Sequence, residues 1–135
     1  LSDKHSVKPV HNLDEIQKLK NNFKQNIRQF NVYHDGEIVA GTTIFQTKNV
    51  IHVQYIGSNM EKNLLGSLDF LFYNLITNIF PKHKYFDFGT SNEQQGKKIN
   101  KGLIYWKEGY GAKSLIQDFY EIEISKFDKL RNLIV

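Results

Sequence analysis

VIHVQYIGSNMEKNLLGSLDFLFYNLITNIFPKHKYFDF, Val50–Phe88, reads as a strand, a long helix and a second strand. Val50 to Gly57 is rich in β-branched and aromatic residues, which favour a pleated strand. From Glu61 to Phe80 the helical signal is the strongest in the chain. Leu64, Leu65, Leu68, Leu71, Phe72, Leu75, Ile76, Ile79 and Phe80 form one broad apolar stripe, with Asn63, Ser67, Asn74 and Asn78 mostly off it. Pro81 stops that helix, because proline has no N–H to continue it. Lys84 to Phe88 is short and aromatic and reads as a strand. Strand, helix, strand implies a crossover connection, normally right-handed, between parallel strands.

Upstream, Asn12 and Glu15 have the spacing of a capping box. Leu13, Ile16, Leu19 and Phe23 recur at helical spacing, so a helix is expected over about 13–24. Phe30, Val32 and His34 then alternate with Asn31 and Tyr33, and Asp35-Gly36 is a two-residue hairpin signal. Glu37 to Thr47 reads as the next strand and Lys48-Asn49 as a second tight turn. With Val50–Gly57 this makes a three-stranded antiparallel meander. Downstream, Gly89 to Gly96 is a polar loop, and Ile99 to Glu108 is a helix ended by Gly109 and Gly111. Leu115 to Ile124 alternates like a strand, and Ser125 caps a last short helix through Leu133. The order is α-β-β-β-α-β-α-β-α, an α/β (α+β) domain.

Composition narrows the function classes. The 135 residues fit one compact domain, and 40% apolar residues supply a core. With no cysteine, disulfides, thiolate zinc sites and cysteine nucleophiles are excluded. A cytoplasmic, reducing location is expected, and no apolar run approaches the roughly 20 residues that span a bilayer. The five His lack metal-ligand spacing, so no metal is expected. Net charge is +4, but Arg28 and Arg131 are the only arginines, too few for a nucleic-acid stripe. A phosphate-bearing cofactor needs less charge. The opening Leu1-Ser2-Asp3-Lys4-His5 reads as the start of a fragment whose N-terminal partner domain is missing.

The element order, together with Tyr85–Glu93 (YFDFGTSNE) and Asn100–Ala112 (NKGLIYWKEGYGA), resembles the C-terminal half of bacterial two-half GNAT-like acyltransferases related to the Fem aminoacyl transferases. The likeness spans about residues 5–124. It implies a GNAT-like mixed sheet, with an antiparallel meander, a long crossover helix and further parallel and antiparallel strands. It also implies transfer of an acyl group from acetyl-CoA or another acyl-CoA to a small amine acceptor, such as an amino sugar or amino acid. Alternatives are a Fem-like domain that uses aminoacyl-tRNA, and a non-catalytic half that binds substrate or packs on its partner domain. A homodimer formed through strand edges is a further expectation.

The resemblance puts the donor site at the strand–helix junction: Tyr55, Ile56 and Gly57, then Asn63, Leu64, Leu65, Gly66 and Ser67. The family signature Arg/Gln-x-x-Gly-x-Gly/Ala falls on Asn63–Leu68, where Gly66 matches and Asn63 and Leu68 depart. It also makes Tyr105 a general acid toward the leaving thiolate, or else a packing aromatic. His52 titrates near neutrality by type and can accept a proton from an attacking amine; cross-strand packing is its other reading. Gln54 shares its expected face and can orient substrate. Asp87, in an aromatic strand, is a base or half of a structural ion pair. Ser91, Asn92 and Glu93 follow the C-terminal end of a strand, where open α/β sheets bind ligands, and otherwise form a solvated loop. Lys98, Lys101 and Lys107 can meet phosphate.

Overall fold

The computed structural model describes residues 9–59, 66–121 and 123–126. Helix α1 is Leu13–Asn22, and Asn12 and Glu15 close the expected capping box at its start. Strands β1 (Ile27–His34), β2 (Glu37–Gln46) and β3 (Val50–Ser58) form the antiparallel meander. Asp35 and Gly36 both take positive φ, 50° and 80°, as a two-residue hairpin turn requires. Helix α2 (Ser67–Asn74) continues as a π-helical segment, Leu75–Ile79. Strand β4 is Tyr85–Asp87, β5 and β6 are two-residue arms at Asn92–Glu93 and Lys98–Ile99, and helix α3 is Lys101–Glu108. The main sheet runs β1-β2-β3-β4, with β4 parallel to β3.

One face of this sheet packs on α2. Phe72, Leu75 and Leu71 meet Ala40, Ile44, Ile51 and Val53, all at 5% exposure or less. Phe72 is the hub. Its ring lies 5.2 Å from Trp106, 5.5 Å from Phe88, and 6.2–6.3 Å from Tyr110 and Phe86. One side chain thus ties α2, β4 and α3 together, and each buried residue of this kind contributes roughly 1.5–3 kcal/mol.

Three expectations need correction. The long helix does not run unbroken from Glu61. Gly66 sits at φ 60°, a left-handed residue before Ser67, and Asn63, Leu64 and Leu65 lie outside the described residues. Its last turn is widened because the Asn74 and Thr77 side chains donate to the carbonyls of Phe70 and Tyr73. They compete with the usual ladder, and the Phe80 N–H reaches back five residues to Leu75. The second correction is Leu115–Ile124, which is not a strand in its described part. Leu115, Ile116, Phe119 and Tyr120 are 85–93% exposed, and alternation makes a strand only where a ladder partner exists. Ile122 and most of the helix expected after Ser125 lie outside the described residues, which show only a tight turn at 124–126. The third correction is Gln54. Thr43 pairs with Tyr55 and Ile44 with Val53, so Gln54 is the extra residue of a β-bulge. Tyr55, not Gln54, therefore shares the face of His52.

Removing the hub has a defined cost: Phe72→Ala is expected to lower unfolding free energy by about 3–5 kcal/mol, measured by urea denaturation.

Candidate active site

The parallel ladder between β3 and β4 is short. It joins Val50 to Tyr85, Ile51 to Phe86 and His52 to Asp87, then ends. Strand β3 continues to Ser58. Beyond His52 its β4 side therefore has no strand partner among the described residues, and the two strands part there. The cause sits just past β4: Gly89 takes φ 69° and turns the chain under Val53, so that a Cβ on Gly89 would lie 3.6 Å from the Val53 carbonyl oxygen. A left-handed residue with that floor suits glycine.

Where the strands part, His52 and Asp87 face each other. They stand on the sheet face opposite α2, since Ile51, Val53 and Phe86 point into the core. His52 Nδ1 lies 2.7 Å from Asp87 Oδ2, with the side chains 36% and 50% exposed. Asp87 Oδ1 accepts the Gly89 N–H at 2.8 Å. Partial burial raises the Asp87 pKa, but hydrogen bonds from His52 and Gly89 and the nearby charges of His52 and Lys107 outweigh it and hold the carboxyl below its ordinary 3.8. Asp87 is thus an anion at neutral pH, and the His52 Nδ1–H donates to it. In the neutral imidazole, that fixes the tautomer and leaves Nε2 as the acceptor.

Lys107 was expected to meet phosphate from the helix surface. It is buried, at 6% exposure, and its Nζ donates to the carbonyls of Gly89 (2.9 Å) and Thr90 (2.7 Å). Burial pulls its pKa down, and the Asp87 charge pushes it back up. Only the three-dimensional fold brings the last turn of α3 under this loop, so no local sequence signal marks Lys107.

The other expected site residues divide into groups. The Tyr55 hydroxyl bonds His11 through its backbone N and Nδ1, at 3.0 and 2.7 Å. Ile56 is half-buried against the core and Gly57 is exposed on β3. Ser67 is buried in the first turn of α2. Glu93 accepts from Lys98 and Asn100, and the Ser91 carbonyl accepts the Asn100 N–H, so Ser91, Asn92 and Glu93 hold the β5–β6 arm and the cap of α3. Lys98 is thereby paired, and Lys101 lies exposed at the start of α3. Tyr105 stands apart from His52 and Asp87. It is 81% exposed and lines a groove of about 940 Å3 between α2 and α3 with Phe70, Tyr73 and Trp106. Asp69 Oδ1 accepts from both Trp106 Nε1 and Tyr110 Oη at the same groove, and burial followed by this carboxylate pushes the Tyr110 hydroxyl pKa up.

The sequence profile of the family described as "Acetyltransferase (GNAT) domain" matches residues 4–108. The chain belongs to that family. Among solved structures it is similar to a putative acetyltransferase of the GNAT family from Bacteroides thetaiotaomicron, with a TM-score of 0.55 at 11% identity. That match covers 79% of this chain and 58% of the other, and it shows the shared fold. A comparison with curated proteins gives no match.

GNAT domains generally bind acetyl-CoA, and the described residues fit it. Past His52 the β3 edge carries backbone groups with no strand partner among the described residues. Helix α2 starts with no side-chain cap, whereas Asn12 and Asn100 cap α1 and α3. Among the described residues, its first-turn N–H groups have no side-chain acceptor. Among the described residues, no cluster of three or more His, Cys, Asp or Glu could hold a metal, and no helix is long and apolar enough to cross a membrane.

The dyad has a pH signature. Because the folded Asp87 pKa is depressed, its contribution is full above about pH 4 and is lost as pH falls through the lower folded value. Asp87→Asn is expected to lower stability by about 0.2–1 kcal/mol at pH 7, since the pair is half exposed. The deficit shrinks as pH falls through the lowered folded pKa, as read from urea midpoints at pH 7 and at acid pH. Lys107→Met leaves two carbonyls without their donor and is expected to cost about 1–3 kcal/mol in the same assay.

Proposed function

We propose that this domain is an N-acyltransferase that moves the acyl group of acetyl-CoA onto the amine of a small acceptor. The observation that carries the reading is the His52–Asp87 pair, standing where β3 and β4 part. An amine attacks a carbonyl only after it sheds a proton, so the reaction needs a base at the open end of the two strands.

Acetyl-CoA, when bound, would supply the thioester carbonyl that accepts the amine and the CoA thiolate that leaves as its C–S bond breaks, the thiolate taking up the proton that the imidazole has collected. The backbone of Tyr55, Ile56 and Gly57 would hold its pantetheine arm, and the N–H groups of Ser67 and Leu68 its diphosphate. His52 Nε2 takes the proton that the acceptor nitrogen loses. Asp87 holds the imidazole in the required tautomer and steadies the imidazolium that results. Gly89 fixes the second oxygen of Asp87, and Lys107 fixes the turn that carries Gly89.

His52→Gln keeps the shape of the site and removes the base. It is expected to lower kcat by about 10²–10⁴ while leaving the acetyl-CoA KM little changed, measured by thiol release with an amine acceptor. An unchanged kcat contradicts the assignment of the base. Acetyl-CoA titrated calorimetrically into the protein is expected to bind, and no heat at millimolar ligand contradicts the donor site.

A further inference from the structure

The third residue of a helix is where an acidic side chain turns back onto the start of its own helix. Glu15 does so in α1, accepting the Asn12 N–H at 2.8 Å. Asp69 holds the same position in α2, but its Oδ1 is engaged by the far end of α3. Trp106 Nε1 donates to it at 2.9 Å, and the Tyr110 hydroxyl at 2.8 Å. One donor lies in the last turn of α3 and the other just past it. They are four residues apart, about one turn of helix, so both reach toward α2.

The aromatic hub aims these donors. The Trp106 and Tyr110 rings pack edge to face at 5.4 Å, and both lean on Phe72, at 5.2 and 6.2 Å. Phe72 is fully buried and lies three residues after Asp69 on the same helix. The hub thus sets the direction of the two donors, and the donors set the direction of the carboxylate. Hydrogen bonds to a carboxylate are about twice as strong as neutral ones. Two of them on one oxygen tie the first turn of α2 to α3.

The neighbouring residue of α3 reaches the other way. Lys107 Nζ donates to the Gly89 and Thr90 carbonyls, and the Gly89 N–H donates to Asp87, the partner of His52. One turn of α3 therefore carries two connections. The first holds the start of α2, which the acyl-transfer reading assigns to the donor's diphosphate. The second holds the turn behind the base. Group transfer needs its reacting atoms about 3–3.5 Å apart, and a shared mount keeps donor seat and base in register.

We propose that Asp69 is a positioning residue for the donor: held by Trp106 and Tyr110, it sets the first turn of α2 against α3 and so aligns the diphosphate seat with the His52–Asp87 pair. It acts through the backbone N–H groups of Ser67 and Leu68. The inference rests on the acyl-transfer reading and adds to it the residue that joins the two halves of the site.

Calorimetric titration of acetyl-CoA into the full chain and three variants tests it. Asp69→Ala removes the tether. Tyr110→Phe removes one of its two bonds and keeps the ring on Phe72, so it still decides the matter if Asp69→Ala folds poorly. Asp69→Ala should weaken binding about tenfold, and Tyr110→Phe by less. In the double variant Tyr110→Phe should add nothing further, because its hydroxyl acts through Asp69. The acetyl-CoA KM should rise with the Kd while the amine KM holds. In the free chain, Asp69→Ala should speed exchange of the Phe70 amide, which bonds the Gly66 carbonyl in that first turn. If the unaltered chain gives no heat, the donor reading fails and the proposal falls with it. If the unaltered chain binds and the single variants bind as tightly, or the double variant loses the sum of both effects, the proposal alone is overturned.

Discussion

The structure depends on a ladder that stops early. Strands β3 and β4 share three residue pairs and then separate at His52 and Asp87. Each extended strand beyond that point would normally satisfy its backbone with a neighbour. Here the β4 chain turns away at Gly89, which leaves one edge of β3 without a strand partner among the described residues. A parallel pair needs a crossover, and α2 provides it. The crossover in turn needs an anchor, which is Phe72 among the rings of Phe86, Phe88, Trp106 and Tyr110. Packing thus holds the strands together at one end while the Gly89 turn parts them at the other.

The chemistry of the site follows from the same geometry. The last paired residues of the ladder bring an imidazole and a carboxylate together, with the second carboxylate oxygen held by the turn that ends the pairing. Lys107 secures that turn from α3 by donating to two carbonyls. The imidazole, the carboxylate that orients it and the unpaired strand edge are consequences of one interrupted pairing rather than separate inventions.

Much of this was legible in the sequence, because period and punctuation are local signals. The meander, its Asp35-Gly36 turn, the capping box at Asn12 and the crossover order all followed from spacing. His52 and Asp87 were each singled out, but their pairing was not, since it depends on the register between strands 35 residues apart. The bulge at Gln54 was invisible for the same reason, and it moved Tyr55 onto the face assigned to Gln54. Lys107 looked like any helix-surface lysine until α3 was placed under the Gly89 loop. Leu115–Tyr120 shows the opposite failure: the alternation is present, and among the described residues no strand pairs with it.

Hydrogen–deuterium exchange of β3, with and without acetyl-CoA, tests the central claim most directly. If the parted strands form the donor cleft, acetyl-CoA slows exchange across Val53–Gly57 while β1 amides at the far edge of the sheet keep their rates. Unchanged protection across Val53–Gly57 with acetyl-CoA bound would contradict the claim, because the ligand would then sit elsewhere on the molecule.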